Sequence, residues 1–143
     1  MKDLFLSVLV AFTCAVGFGI VFGIRPKELW LAGICGMVSR IVLILCESAS
    51  LGRFSYTFLA ALVGTLFAEL IGHLRDGSVA KYMYPGLVLL IPGDVLYKLI
   101  LALLTLDRAG VSAQAVTLAH ALLGIALGCT LAAMPFRPAP RKG

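Results

Sequence analysis

Residues 4–24 read LFLSVLVAFTCAVGFGIVFGI, an apolar run without a single charged side chain. A membrane-crossing α-helix needs roughly 20 such residues, because about 30 Å of hydrocarbon must be covered at 1.5 Å per residue. A secretory signal peptide has a shorter apolar region and ends in an Ala-x-Ala-like cleavage site, which this segment lacks. The run therefore predicts a retained first transmembrane helix.

Four further apolar segments follow that run, separated by short polar stretches. Including the first run, the predicted spans are 4–24, 29–46, 55–72, 82–106 and 112–134, followed by a basic tail at 135–143. Of the 143 residues 61% are hydrophobic and 13% are charged, whereas soluble domains have about 25% charged residues. We therefore expect an all-α integral membrane fold, in which residues 1–143 form a single transmembrane bundle of about five helices.

The basic residues predict how this bundle is oriented in the bilayer, because Lys and Arg concentrate in short cytoplasmic loops. With the N-terminus outside and the C-terminus in the cytoplasm, seven basic residues fall on the cytoplasmic side and three on the outer side. The cytoplasmic residues are Arg25, Lys27, Arg75, Lys81, Arg137, Arg141 and Lys142, and the outer residues are Lys2, Arg53 and Arg108. The basic residues of the cytoplasmic loops and tail thus explain the net charge of +5. Nucleic-acid binding is not needed to explain it, and we expect no nucleic-acid partner.

Small side chains recur at four-residue spacing on two of the predicted helices. Ala60, Gly64 and Ala68 share one face of the third span, and Gly124 and Gly128 share one face of the fifth. Such faces allow helix backbones to approach closely inside a membrane. These residues therefore predict helix contacts in a tight bundle.

Two ionisable residues lie deep inside predicted spans, Arg40 in the second and Asp94 in the fourth. A charge at the bilayer centre costs at least about 2.5 to 3.5 kcal/mol unless water or a partner compensates it. At 1.5 Å per residue, both lie roughly 17 to 18 Å from the cytoplasmic ends of their helices, which is close to the midplane. An Arg40–Asp94 ion pair would join the two helices, and an Asp94–Lys98 pair at i and i+4 is an alternative. Either pair would be purely structural.

The fourth span also contains two Pro-Gly pairs, Pro85-Gly86 and Pro92-Gly93. Proline removes a backbone N–H and displaces a helical carbonyl, so the pairs predict a bent or broken helix between Pro85 and Asp94. Transporters build substrate sites at such breaks, because unpaired backbone groups at membrane depth line cavities or are buried in protein. A translocation site is therefore the second interpretation of these polar residues. Its candidate residues are Arg40, Pro92, Gly93, Asp94, Tyr97 and Lys98.

Several motifs occur along the chain in a specific order and spacing. FGIRPKEL at 22–29 leads into AGICG at 32–36 and SR at 39–40, and FLAALVGT at 58–65 is followed by IPGDVLY at 91–97. Together they resemble the threonine/serine exporter family, and within it the small five-helix subunit of the split, two-protein type. The resemblance extends over most of the chain.

This resemblance implies export of small carboxylate-bearing metabolites, driven by an ion gradient. Members of the family are associated with threonine and serine, and a split pair with succinate, a dicarboxylate. It also implies a bacterial inner membrane location and a larger partner subunit of the same family, and it leaves a homo-oligomer open. Arg40 matches the Ser-Arg of the family's second helix, while Pro92, Gly93 and Tyr97 match the Pro-Gly-x-x-x-Tyr of the fourth. The other candidates rest on the physical argument alone.

Two other classes of protein are alternatives to a transporter. An enzyme is disfavoured, because the histidines are His73 and His120 alone and the chain has no HExxH, GxSxG or Gly-rich phosphate loop followed by Lys. The four cysteines have neither zinc-ligand nor Cys-x-x-Cys spacing, so we expect no metal and no cofactor. The second alternative is a structural or assembly subunit whose polar residues only bind a partner.

Overall fold

The computed structural model describes residues 2–49, 52–75 and 79–136, with side chains from Phe5 onward. The basic tail after Phe136, and residues 76–78 of the polar stretch after the third span, lie outside the described residues. The helices are α1 (Lys2–Val21), α2 (Leu29–Ser48), α3 (Arg53–Leu74), α4 (Ala80–Val88), α5 (Gly93–Leu104) and α6 (Arg108–Ala133), followed by a 3-10 turn at Met134–Phe136. No strand occurs in the described ranges, and the all-α prediction is confirmed for them.

Three segments are long and apolar enough to cross a membrane, namely α2, α3 and Arg108–Phe136, which comprises α6 and the following turn. The short helices α4 and α5 meet that condition together, as a pair bent by 49°. The apolar part of α1 is shorter and covers Phe5–Val21. The described helices thus provide three spans, or four if the bent pair forms one. The count of five spans stays a prediction.

The polar loop between the second and third spans is shorter than the sequence predicts. α2 continues to Ser48 and α3 begins at Arg53, so Glu47 and Arg53 both lie on helices. Gly52, which has an extended backbone, is the N-cap of α3. Serine disfavours a helix only weakly, and the packing of α2 against α3 outweighs that preference near the helix ends.

Close backbone contacts place α3 between α2 and α6. A Cβ atom added to Gly128 of α6 would lie 2.6 Å from the carbonyl oxygen of Phe58 in α3, closer than real Cβ atoms approach. At another contact of α3, Gly64 lies directly against the hydroxyl of Ser39 in α2. The other small residues of these faces are also buried, namely Ala60, Ala68 and Gly124. Glycine at these positions therefore permits the short distances between helices.

The fourth predicted span consists of α4 and α5, which are separated by residues 89–92. The helix is not interrupted at the first Pro-Gly pair, because Pro85 lies inside α4. Pro85 and Gly86 are both buried, and packing against α2 holds α4 helical through the pair. At the second pair, Pro92 is the N-cap of α5, and the helix begins at Gly93. The interruption therefore lies beside the second pair.

Helix α5 packs chiefly on α6 and buries little of its surface. Its buried residues are Val95 and Ala102. Its large exposed apolar side chains are Leu96, Tyr97, Ile100, Leu101, Leu103 and Leu104. An apolar exterior is what a helix in a bilayer presents to lipid or to a neighbouring helix.

Side-chain contacts join the loops at the end of the bundle where α3 ends and α4 begins. Lys81 Nζ lies 3.3 Å from Glu28 Oε2. The Arg75 guanidinium lies over the Trp30 ring, 5.7 Å from its centroid. Tyr82, at the start of α4, is fully buried. This end of the bundle is the predicted cytoplasmic side, and these contacts link its helix ends.

Candidate functional site

A cavity of about 310 Å³ lies between the C-terminal half of α2, the first turns of α3 and the connection from α4 to α5. Its polar lining residues are Arg40, Glu47, Arg53, Tyr56, Thr57 and Asp94. Its apolar lining residues are Leu43, Leu89, Leu90, Ile91 and Pro92. Ligand pockets usually have volumes of about 300 to 1,000 Å³, so the cavity suits a small metabolite.

Arg40 reaches the cavity from the middle of α2 and is held in place by α1. Its Nε donates a hydrogen bond to Oγ of Ser7 at 3.0 Å. Among the side chains that the structure describes, Ser7 alone is hydrogen-bonded to this guanidinium. Because arginine has five N–H donors, most of them remain available to a ligand. Arg40 also lines a second cavity of about 130 Å³, together with Ser7 and Leu89.

Asp94 forms an ion pair with Arg53, the first residue of α3. Arg53 Nη1 and Asp94 Oδ1 are 3.7 Å apart, which is too long for a hydrogen bond. The two side chains are 32% and 55% exposed. The sequence offers Arg40 and Lys98 as partners of Asp94, and the structure gives a different one. The physical reason is the 49° bend before α5, together with the earlier start of α3, which brings the first residues of the two helices together.

Four charged side chains line the cavity, and their formal charges cancel. Arg40 and Arg53 are cationic, while Glu47 and Asp94 are anionic. A planar guanidinium binds a carboxylate through two parallel hydrogen bonds, which gives both strength and orientation. The two arginines can therefore bind carboxylate groups, and the two acids can bind an ammonium group. The lining is chemically suited to a dicarboxylate or to an amino acid zwitterion.

The structure brings together three of the six candidate translocation residues, Arg40, Pro92 and Asp94. Gly93, the first residue of α5, is exposed, and an added Cβ atom there would meet no atom within 4 Å. Tyr97 is 67% exposed and does not line the cavity. Lys98 is also exposed and lines a separate surface depression on the α5–α6 hairpin.

Five polar residues of the candidate site could not be picked out from the sequence, namely Ser7, Glu47, Arg53, Tyr56 and Thr57. Arg53 lies in a predicted loop, where its charge indicates only the orientation of the chain. One feature of the sequence does distinguish Arg53, because no other Lys or Arg occurs between Arg40 and Arg75. Ser7 has no comparable signal, since a serine in an apolar helix can equally bond its own backbone.

The family model described as Threonine/Serine exporter, ThrE, matches residues 7–134. This range contains all of α2 to α6 and every residue that lines the cavity. It agrees with the family that the sequence motifs indicate. No curated protein and no solved structure matches the chain.

Proposed function

Because the chain belongs to the threonine/serine exporter family, we propose that it is the small subunit of a secondary transporter for small carboxylate-bearing metabolites. Family membership and the apolar helices make it an exporter-type, multi-pass membrane protein. The proposed substrates are threonine, serine or a dicarboxylate such as succinate. The proposed location is the bacterial inner membrane, and the proposed partner is a larger subunit of the same family.

The position of Arg40 carries this proposal. Arg40 lies about 17 Å along α2 from its first residue, so it sits near the middle of the helix. A guanidinium stays ionised in proteins, and such a charge inside a membrane is retained where it faces water or a partner. Arg40 lines the cavity, where a carboxylate ligand would satisfy its remaining donors. A substrate carboxylate is therefore its proposed ligand.

The charged residues around Arg40 are compatible with both proposed substrate types, a dicarboxylate and an amino acid. A dicarboxylate would use Arg40 and Arg53 together, because both line the cavity. An amino acid would place its carboxylate on an arginine and its ammonium group beside Glu47 or Asp94. Transport of labelled compounds distinguishes the two types.

The proposal retains five spans, with the N-terminus outside and the C-terminus in the cytoplasm. In that orientation the cavity lies in the outer half of the bundle, since the end of α2 and the start of α3 line it. The Lys81–Glu28 ion pair and the buried Tyr82 then close the cytoplasmic side. An exporter must open to both sides in turn, so loading from the cytoplasm requires Lys81 and Glu28 to separate.

A larger partner subunit is proposed because the described residues contain a single interrupted helix. Transporters built from repeats usually have a broken helix at corresponding positions in each half. The described part of this chain has one bent pair, formed by α4 and α5. A homologous partner would supply the second broken helix, and the exposed apolar surface of α5 is compatible with such a neighbour.

Efflux measurements test this function. Cells that contain the chain and its larger partner are loaded with labelled threonine or labelled succinate, and matched cells lack only this chain. Efflux of either compound that depends on the chain supports the proposal. Unchanged efflux of threonine, serine and succinate in the matched cells contradicts it. Full exchange by this chain alone in liposomes would contradict the need for a partner.

A further inference from the structure

We propose that Asp94 competes with the substrate for Arg53. When the cavity is empty, the Asp94 carboxylate forms an ion pair with the Arg53 guanidinium. When substrate binds, its carboxylate takes the place of the Asp94 carboxylate. Arg53 is then a second carboxylate-binding residue in the cavity that also contains Arg40. This inference rests on the proposed function, because it requires a carboxylate ligand in the cavity.

The Arg53–Asp94 ion pair is loose enough to be exchanged. Its closest atoms are 3.7 Å apart, and the Asp94 side chain is more than half exposed. The other ion pair of the described residues, between Lys81 and Glu28, is hydrogen-bonded at 3.3 Å, and the Glu28 side chain is only 19% exposed. Exposed ion pairs contribute little free energy, so a better-placed carboxylate can replace Asp94 at small cost.

Arg53 is positioned to receive a ligand in place of Asp94. Its guanidinium lies 5.6 Å from the centroid of the Tyr56 ring, a cation–π contact that limits its orientations without using its N–H donors. Its side chain is 32% exposed, and both Arg53 and Tyr56 line the cavity. The guanidinium can therefore bind a carboxylate in bidentate geometry, which the long contact to Asp94 does not provide.

Displacement of Asp94 would also release α5 from α3. Asp94 is the second residue of α5 and directly follows the 89–92 interruption. An added Cβ atom on the adjacent Gly93 would meet no atom within 4 Å, so no other element packs against that side of the backbone. Because α5 otherwise packs chiefly on α6, loss of the Arg53–Asp94 contact removes one of its few contacts with the rest of the bundle. Substrate binding is thereby linked to the position of α5.

Transport kinetics of three variants test the competition, with the chain and its partner in cell membranes and labelled succinate as substrate, because a dicarboxylate would use Arg40 and Arg53 together. Asp94→Asn should lower KM roughly two- to fivefold, because the competing carboxylate is removed. Arg53→Gln should raise KM at least about tenfold, because a charged hydrogen-bonding partner is lost. The double variant should behave like Arg53→Gln, since Asp94 acts through Arg53. Asp107→Asn at the N-cap of α6 and Arg108→Gln at its first residue are the matched controls and should leave KM unchanged.

Chemical modification gives a readout that does not depend on transport. Phenylglyoxal reacts with accessible arginines, and mass spectrometry reports its addition to Arg53. Asp94→Asn should increase the rate of modification of Arg53, and succinate should decrease it in both wild type and variant. A higher KM for Asp94→Asn, or a modification rate unaffected by the variant and by succinate, overturns the inference. If Arg40 is essential for efflux under those conditions, the proposed function survives that failure.

Discussion

The guanidinium of Arg40, near the middle of α2, donates a hydrogen bond from Nε to the Ser7 hydroxyl of α1 at 3.0 Å. The bond joins two helices, because Ser7 lies on α1 and Arg40 lies on α2. It fixes one edge of the guanidinium and leaves the other donors directed away from Ser7. Ser7 is therefore a positioning residue for Arg40.

Replacing Ser7 by Ala should reduce export without preventing assembly. The variant removes one hydrogen bond, which is worth about 0.5 to 1.5 kcal/mol, so kcat/KM should fall roughly two- to tenfold. Thr13→Ala is the matched control, because the Thr13 hydroxyl bonds only the Leu9 carbonyl of its own helix. Efflux rates of both variants, at equal protein levels, check the prediction. Equal rates for Ser7→Ala, Thr13→Ala and wild type would show that Ser7 does not position Arg40.

Replacing Gly128 by Ala should destabilise the bundle. The added methyl group would lie 2.6 Å from the carbonyl oxygen of Phe58, so α6 must move away from α3. Overpacking of this kind costs about 1 to 3 kcal/mol and should lower the thermal midpoint of the detergent-solubilised protein.

Gly17→Ala is the control for that experiment. Gly17 lies in α1, and an added Cβ atom there meets nothing within 4 Å. Alanine in a helix interior is favoured over glycine by roughly 0.5 to 1 kcal/mol, so this variant should keep or raise the midpoint. A Gly128→Ala midpoint at or above the wild-type value would mean that α3 and α6 are less tightly packed than the structure indicates.

The orientation of the chain is tested by cysteine labelling from each side of the membrane. In a chain whose native cysteines are replaced, Ser48→Cys should react with a membrane-impermeant maleimide added outside, because Ser48 ends α2 at the predicted outer surface. Lys27→Cys, in the loop before α2, should react only after the membrane is opened. The reverse pattern would place the C-terminus outside.

The helices could be predicted from sequence because the bilayer imposes a simple rule. Every backbone N–H and C=O must be bonded within a span, so most of each apolar run becomes a helix, as residues 4–21 of the run 4–24 do. Arg40 could be recognised for the same reason, since a charge within such a run requires water or a partner. These inferences need only the local sequence.

The partner of Asp94 could not be predicted, because it depends on two helix boundaries and one bend angle. Predicted boundaries put Arg53 in a loop, whereas the structure begins α3 at this residue. The two Pro-Gly pairs look equivalent in sequence, yet α4 continues through Pro85, which is buried among neighbouring helices. Tertiary packing determines where α3 begins and whether α4 continues through Pro85. Local sequence patterns do not report such packing.

Export by Arg40 variants is the most direct test of the account, measured as efflux of the labelled substrate with protein level and partner binding verified. Arg40→Ala should abolish efflux, and Arg40→Lys should retain a small fraction, because an ammonium group lacks the bidentate geometry of a guanidinium. Arg108→Ala, which changes an exposed arginine outside the cavity, should export at the wild-type rate. Wild-type efflux by a folded, partnered Arg40→Ala variant would contradict the account and make Arg40 a structural residue.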